Sequence, residues 1–499
     1  MSRREQRGHR DDRRDHRDER RHRNDDHTPE GDVLYQQREA RNLVEDISLY
    51  NKGGHHPVHL GDVLGGRYEV VHKLGSGGVG IVWLCFDKQA SRWRAVKIMT
   101  ANASSQTQER KIYKHLREHA SDDQMEANYV AAPYEEFWCK GPNGDHLCVV
   151  LPVLGGDIMS CFPALTGGLN EESFPHRLAG TKWICSQVAR SIRFLHDKGI
   201  CHGDIKPDNI LIRIKGFSKL SRSEVLELLG KPVCDAVKRS SGRLGGSHAP
   251  RYVVRAPTSQ WWASLVTPKV ALVDYGASFF ASDSNHRPST TTWTYAAPEV
   301  HFDCGLPMGT YSDIWSLGVT LYEISTGDDG PFRSLNDNLK RIENVPKDLE
   351  IYLGPLPEPF RSKYYQVLER KGMRRENLKD RRTGALQAVS YTPERFRQRT
   401  EEVIGNSRYS TTLEAEIGRK RKWVLRRKEI SYRYLQEDVT DFATFLRTML
   451  EYDPAKRASA NRVLHSSWLD ERPQHISDES ARGPSTRTHR IRDWFKMKR

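Results

Sequence analysis

The stretch that most constrains the fold of this 499-residue chain is His202-Gly203-Asp204-Ile205-Lys206-Pro207-Asp208-Asn209. It sets a carboxylate, an ammonium and a carboxamide within six residues, after a helical pattern and before the apolar run Ile210-Leu211-Ile212. Phosphoryl transfer needs those three groups on one rigid turn: an acceptor for a hydroxyl proton, a cation for the migrating phosphate and an amide oxygen for Mg²⁺. A turn of this kind works only inside a larger assembly, so its other parts should follow in order along the chain.

Upstream, Leu74-Gly75-Ser76-Gly77-Gly78-Val79-Gly80-Ile81-Val82-Trp83 reads as strand, glycine turn and strand. Gly75, Gly77 and Gly80 lack the side chains that would keep backbone N–H groups away from ATP phosphates. The same pattern also fits an ordinary hairpin, and Ala95-Val96-Lys97 on the next apolar strand gives it context. Lys97 is a bridge to the α- and β-phosphates if a carboxylate on the following helix orients it, and a solvated surface charge otherwise. Glu109 is the chosen partner, because Ile112, Tyr113 and Leu116 share a helix face that would hold it against the core; Glu118 is the competitor.

Downstream, Val270-Ala271-Leu272-Val273-Asp274-Tyr275-Gly276 is a buried strand ending in a carboxylate placed for Mg²⁺. The Tyr275 ring has an apolar body to pack and a hydroxyl that wants a polar partner. Ala297-Pro298-Glu299 follows, then Tyr311-Ser312-Asp313 at the head of an apolar helix, and Arg457 as the expected buried partner of Glu299. Asp313 is read as an acceptor for backbone N–H groups around His202, with a helix N-cap as the plainer alternative.

These ordered motifs, spread from residue 74 to 469, resemble the eukaryotic protein kinase superfamily, and within it the SR-protein kinases, especially their fungal members. The narrower likeness rests on Val82-Trp83-Leu84, Asn143-Gly144-Asp145-His146-Leu147-Cys148, Val153-Leu154-Gly155, Gly203 and the run from Asp204 to Leu211. It implies an α+β, two-lobed fold: a small antiparallel-sheet N-lobe over 58–155 and a mainly helical C-lobe over 156–470. It implies ATP and Mg²⁺ as cofactors, Asp204 and Lys206 as catalytic residues, and Asn209 and Asp274 as metal ligands. Leu151 becomes the gatekeeper, the backbone of Pro152 and Leu154 pairs with adenine, and Val82, Ala95 and Leu211 sandwich the ring. The implied reaction is γ-phosphate transfer from ATP to protein Ser or Thr, with Arg-Ser-rich substrates. The rival reading is a pseudokinase or nucleotide-binding scaffold, whose usual mark, a missing Lys97, Asp204 or Asp274, is absent. Gly203 stands where most kinases have Arg, the cation that a phosphorylated activation segment neutralises, so activity is expected without phosphorylation of Thr291, Thr292 or Thr294.

Charge divides the rest of the chain. The formal net charge is +14, of which residues 361–430 carry +11, residues 471–499 carry +4 and residues 1–30 carry +1, leaving −2 for the remainder. Residues 1–57 are expected to be a disordered tail of mixed charge, and 471–499 a basic tail. A spacer over 215–268, with Trp261-Trp262, separates the two catalytic strands, and is either a docked loop or a targeting element. Within the basic insert, Arg419-Lys420-Arg421-Lys422 reads as a nuclear import signal, an RNA or acidic-partner patch, or a solvated helix face. Eight cysteines without C-x-x-C spacing read as reduced core residues, and no apolar run approaches ~18 residues. A monomeric protein of the cytoplasm or nucleus, with no membrane contact, is expected.

Overall fold

The computed structural model describes residues 34–35, 44–105, 108–160, 174–239, 246–257, 260–283, 291–302, 305–328, 330–332, 345–364, 366, 376–379, 386–389, 412–425 and 428–469. Six strands form an antiparallel sheet: β1 (Val63–Leu64), β2 (Tyr68–Gly77), β3 (Gly80–Asp87), β4 (Arg92–Met99), β5 (Glu135–Gly141) and β6 (Gly144–Leu151), in the order β1-β2-β3-β4-β6-β5. Gly80 sits at the turn between β2 and β3 because a Cβ there would lie 2.6 Å from the Ile98 carbonyl oxygen on β4. Register carries Val82 opposite Lys97, and Ala95 opposite Leu151 at the sheet's far end.

Helix α1 (Gln108–His119) packs under one face of this sheet through Ile112, Tyr113 and Leu116, the face that the sequence spacing predicts. Burying each of these side chains stabilises the contact by about 1.5–3 kcal/mol. The other face is covered by a strap, most of which falls within the expected disordered tail. From Val44 to residue 57 that expectation is corrected: Val44, Ile47 and Tyr50 are buried, with Val58 at the start of the small lobe, against Val70, Trp83, Val96 and Val150. Glu45 supplies a carboxylate to the fully buried Lys73 ammonium and to the Tyr50 hydroxyl. Dense charge in residues 1–30 masks these few apolar anchors. Residues 1–33 lie outside the described residues.

The larger lobe is built on two buried helices, α2 (Phe174–Asp197) and a second, Thr310–Thr326. In α2, Ile184, Val188, Ile192 and Leu195 recur at helical spacing and meet Ile314, Leu317 and Leu321 in one core. The Thr310–Thr326 helix is buried from Ser312 to Thr326 and stops at Gly327, whose φ of 67° lets its N–H reach back to the Glu323 carbonyl at 2.8 Å. Strand β7 (Ile210–Ile214) pairs antiparallel with the strand Val266–Leu272, aligning Ile210 with Leu272. Together they bring the Asp204–Asn209 turn and Asp274 to one end of the strand pair. Among the described residues no helix is long and apolar enough to cross a membrane.

Between these paired strands the spacer runs back across the small lobe. Its helix α3 (Arg222–Leu229) buries Val225 and Leu229 against Val71, Leu84 and Trp93. The Trp93 indole N–H donates to the Leu220 carbonyl at 2.8 Å, and the Leu60 N–H donates to the Tyr252 hydroxyl at 3.0 Å. The insert thus packs on the lobe opposite to the one it grows from.

Candidate active site

The catalytic turn is fixed from below. Asp313, at the head of its helix, accepts the His202 N–H at 2.7 Å and the Gly203 N–H at 2.8 Å, with the His196 ring at 3.0 Å. The His202 ring donates through Nε2 to the Val273 carbonyl at 3.1 Å and accepts the Asp204 N–H at Nδ1, 3.3 Å. One histidine therefore joins the turn to Val273, just past the strand and next to Asp274. Gly203 has φ 81°, and a Cβ there would lie 2.4 Å from the Ala277 carbonyl oxygen. The missing arginine is thus matched by backbone that has no room for a side chain.

Asp204 is surrounded by donors. Lys206 Nζ lies 2.7 Å from its Oδ2, and the Asn209 amide reaches Oδ2 at 3.2 Å and the Asp204 carbonyl at 2.8 Å. Thr292 donates its N–H and its hydroxyl to Oδ1, both at 3.0 Å, and Lys206 Nζ donates to the same hydroxyl oxygen at 2.9 Å. Sequence reasoning missed Thr292 as a member of this cluster; its signal is a hydroxyl residue five positions before Ala297. Thr291 donates to the Gly203 carbonyl at 2.5 Å, and Thr294 is buried. Replacing all three threonines by alanine would therefore be no clean test of phosphorylation, because it would also remove the Thr292 hydroxyl from Asp204 and the Thr291 hydroxyl from the Gly203 carbonyl.

Above the turn, Lys97 Nζ lies 3.4 Å from Glu109 Oε1 and 3.1 Å from Asp274 Oδ1. Tyr113 donates to Glu109 Oε1 at 2.7 Å, while Glu109 Oε2 is buried with no hydrogen-bond partner among the described residues. Burial disfavours the Lys97 charge, but Glu109 and Asp274 outweigh it and leave the ammonium pKa raised. Burial likewise disfavours the Asp274 carboxylate, and Lys97, with His202 and the Gly276 N–H, brings its pKa below the usual carboxylate value. Asp274 takes a positive φ of 65°, which aspartate tolerates better than most residues. Tyr275 is fully buried, edge-on to Tyr113 at 5.6 Å, and its hydroxyl finds the Leu272 carbonyl at 3.3 Å.

The remaining sequence-derived positions flank this cluster. Val82 and the buried Ala95 lie on the sheet above, and Leu211 lies on β7 below. Pro152 and Leu154 occupy the connection that follows β6, half-buried, with the next residue tied down by Gly155 N–H to the Ile212 carbonyl at 2.8 Å. Added Cβ atoms at Gly75 and Gly77 would meet nothing within 4 Å, so their bareness leaves space rather than serving packing.

Glu299 and Arg457 form a pair with wholly buried side chains, joined at 2.7 Å through the two terminal guanidinium nitrogens. The basic run at 419–422 departs from expectation. Arg421 is 3% exposed, donating to Asp328 at 2.8 Å and to the Glu416 carbonyl at 2.8 Å, and Arg419 is paired with Asp328 and with Glu416 at 2.6 Å. Residues Arg421–Leu425 form a strand paired with Lys428–Tyr432 instead of a helix face. Two of the four cations thus serve the fold, and the solvated helix face expected at 419–422 is corrected to a strand that begins at Arg421.

The model of the protein kinase domain family matches residues 68–222 and 264–469, leaving out most of the spacer. A serine/threonine-protein kinase SRPK from Physarum polycephalum is 26% identical over 445 residues, covering 87% of this chain and 92% of that protein. SRSF protein kinase 3 from Homo sapiens is 39% identical over 172 residues, 34% of this chain and 29% of that protein. In fold, the crystal structure of the PF14_0431 kinase domain superimposes with TM-score 0.52 at 20% identity, over 83% of this chain and 99% of that one. The chain belongs to the protein kinase family, as a two-lobed serine/threonine protein kinase that resembles the SR-protein kinases.

Proposed function

We propose that the chain transfers the γ-phosphate of ATP to serine or threonine in Arg-Ser-rich protein substrates, acting as a monomer in the cytoplasm or nucleus. The observation that carries this reading is the Asp204 carboxylate held between Lys206, Asn209 and Thr292, with Asp274 tied to the same turn through His202. Likeness to the Physarum and human proteins supports the substrate class.

Asp204 orients the attacking hydroxyl and takes its proton as the oxygen–phosphorus bond forms and the bond to ADP breaks. Lys206, within reach of Asp204 and Thr292, steadies charge on the moving phosphoryl group. Lys97, oriented by Glu109, holds the α- and β-phosphates, and the backbone around Gly75, Gly77 and Gly80 lies over them. Pro152 and Leu154 pair with the adenine edge through backbone groups, between Val82, Ala95 and Leu211. The hard oxygens of Asp274 and Asn209 suit Mg²⁺, which when bound neutralises phosphate charge.

The test is ³³P transfer from ATP–Mg²⁺ to an Arg-Ser repeat peptide and to a generic basic protein, wild type beside Asp204→Ala. Transfer to the peptide that disappears in the variant is expected. Transfer only to the generic protein would overturn the substrate class, and none to either would overturn catalysis.

A further inference from the structure

The last turn of the spacer returns behind the hinge, the connection between the lobes. The turn is closed by Ala263 N–H to the Gln260 carbonyl and Leu265 N–H to the Trp262 carbonyl, each at 2.9 Å. It puts the indole of Trp262, 5% exposed, against two successive glycines. A Cβ at Gly156 would lie 2.7 Å from Trp262 Cζ2, and one at Gly155 would lie 3.3 Å from Trp262 Cγ. On the side of the catalytic strands, Gly155 N–H donates to the Ile212 carbonyl at 2.8 Å and Ile212 N–H donates to the Gly156 carbonyl at 3.0 Å. Gln260 Nε2 adds a bond to the Ser160 carbonyl at 3.1 Å, just past the hinge. Trp261 continues the contact, tilted on Phe217 at 5.3 Å, in a cluster that also takes in Val153 and Leu74.

Two consecutive glycines are the most pliable backbone a chain can place between lobes. Here they directly follow Pro152 and Leu154, whose backbone would pair with adenine. Left loose, that segment would have to be ordered each time nucleotide binds, and the ordering would weaken binding. We propose that Trp262 is a positioning residue of the nucleotide site: its indole and strand β7 hold Gly155-Gly156 from two sides, so that the hinge is set before ATP arrives. This rests on the placement of adenine at Pro152 and Leu154. The glycines and the tryptophan are one device, because only a bare backbone lets the ring approach so closely.

Steady-state kinetics of the full chain decide it. In Trp262→Ala, KM for ATP rises about tenfold while kcat at saturating ATP and KM for the protein substrate stay within about twofold, and Trp262→Phe recovers most of the loss. A structural role alone would instead lower the unfolding temperature and kcat, with KM for ATP unmoved; that result in folded Trp262→Ala overturns the proposal. Should Trp262→Ala fail to fold, Gly156→Ala decides. The new methyl pushes on the indole and on the Ser160 hydroxyl, which donates to the Asp157 carbonyl at 2.7 Å, so KM for ATP rises, and adding Trp262→Leu to make room restores it. No rise, or no restoration, overturns the proposal. Titration with a fluorescent ATP analogue reads the same affinities without turnover. A wild type that binds the analogue but transfers no phosphate would sink the catalytic reading, and the variants' affinities would still decide the role of Trp262.

Discussion

Lys97 and Arg457 are both cations held by carboxylates, and they are held differently. Arg457 spends all its N–H donors: two on Glu299 at 2.7 Å each, and the others on the carbonyls of Glu451, Tyr311 and Tyr452. Lys97 divides itself between Glu109 and Asp274 at 3.4 and 3.1 Å, and Glu109 keeps one buried oxygen without a hydrogen-bond partner among the described residues. A pair that closes on itself has no capacity left for a ligand and serves the fold. A cluster with spare acceptors and a positive-φ carboxylate keeps capacity in reserve, which is what a site for phosphates and a cation needs.

The contrast predicts opposite failures. Asp274→Asn keeps the shape of the side chain and removes its charge, so phosphate transfer should fall by about 10²–10⁴ while the thermal midpoint stays near wild type, by analogy with loss of a catalytic group. An Asp274→Asn protein that retains full activity would erase the distinction. Glu299→Ala should do the reverse, costing about 3–5 kcal/mol in urea unfolding because Arg457 is left buried and uncompensated, with KM for ATP unchanged in the folded fraction. A midpoint indistinguishable from wild type would show that the buried pair is not what holds that corner of the lobe.

A third variant sits between these extremes. Thr292 is bonded to Asp204 and Lys206 but takes no charge itself. Loss of a hydrogen bond to a charged group is worth about 1.5–3 kcal/mol, so Thr292→Ala should lower kcat by about 10- to 100-fold. Thr292→Ser keeps the hydroxyl and should recover most of that. Phosphatase treatment of wild type should leave activity unchanged, since no arginine at position 203 awaits a phosphate. Loss of activity on dephosphorylation would return the activation segment to the usual kinase pattern.

How much of this could be read from the residues divides along the same line. Groups proposed to meet one ligand are spaced by its chemistry, so Asp204, Lys206, Asn209, Asp274 and Lys97 stand out as short polar motifs on or beside apolar strands. The pairing of Lys97 with Glu109 was legible for a further reason: Ile112, Tyr113 and Leu116 fix which face of the helix turns inward. Contacts between segments far apart in sequence leave no such trace. Glu45 finds Lys73, Trp262 finds Gly156, and Arg421 finds Asp328 across 28, 106 and 93 positions. Each partner looks locally like a surface charge or a loop aromatic. Composition made the error worse in the strap, where a charged neighbourhood hid Val44, Ile47 and Tyr50.

The smallest expected effect belongs to that strap. His56 packs edge-on against His146 at 4.7 Å, and its Nδ1 is buried without a hydrogen-bond partner among the described residues. Burial, with repulsion from His146 and against a weaker pull from Asp62, brings the His56 pKa from 6.5 to about 4. A folded pKa below the unfolded one means that stability is fully present above pH 6.5 and is lost as pH falls toward about 4, because only the unfolded chain takes up the proton in that window. The cleft offers the contrast: Asp274, held below its usual range by Lys97, stays charged across the same window. The thermal midpoint should therefore drop between pH 6.5 and 5, and His56→Gln, which cannot titrate, should flatten the slope while activity at neutral pH is kept. An unchanged slope in His56→Gln would move the acid sensitivity from His56 to its neighbour His55 in the strap or to His146 on the sheet, both buried and with pKa values that burial also lowers.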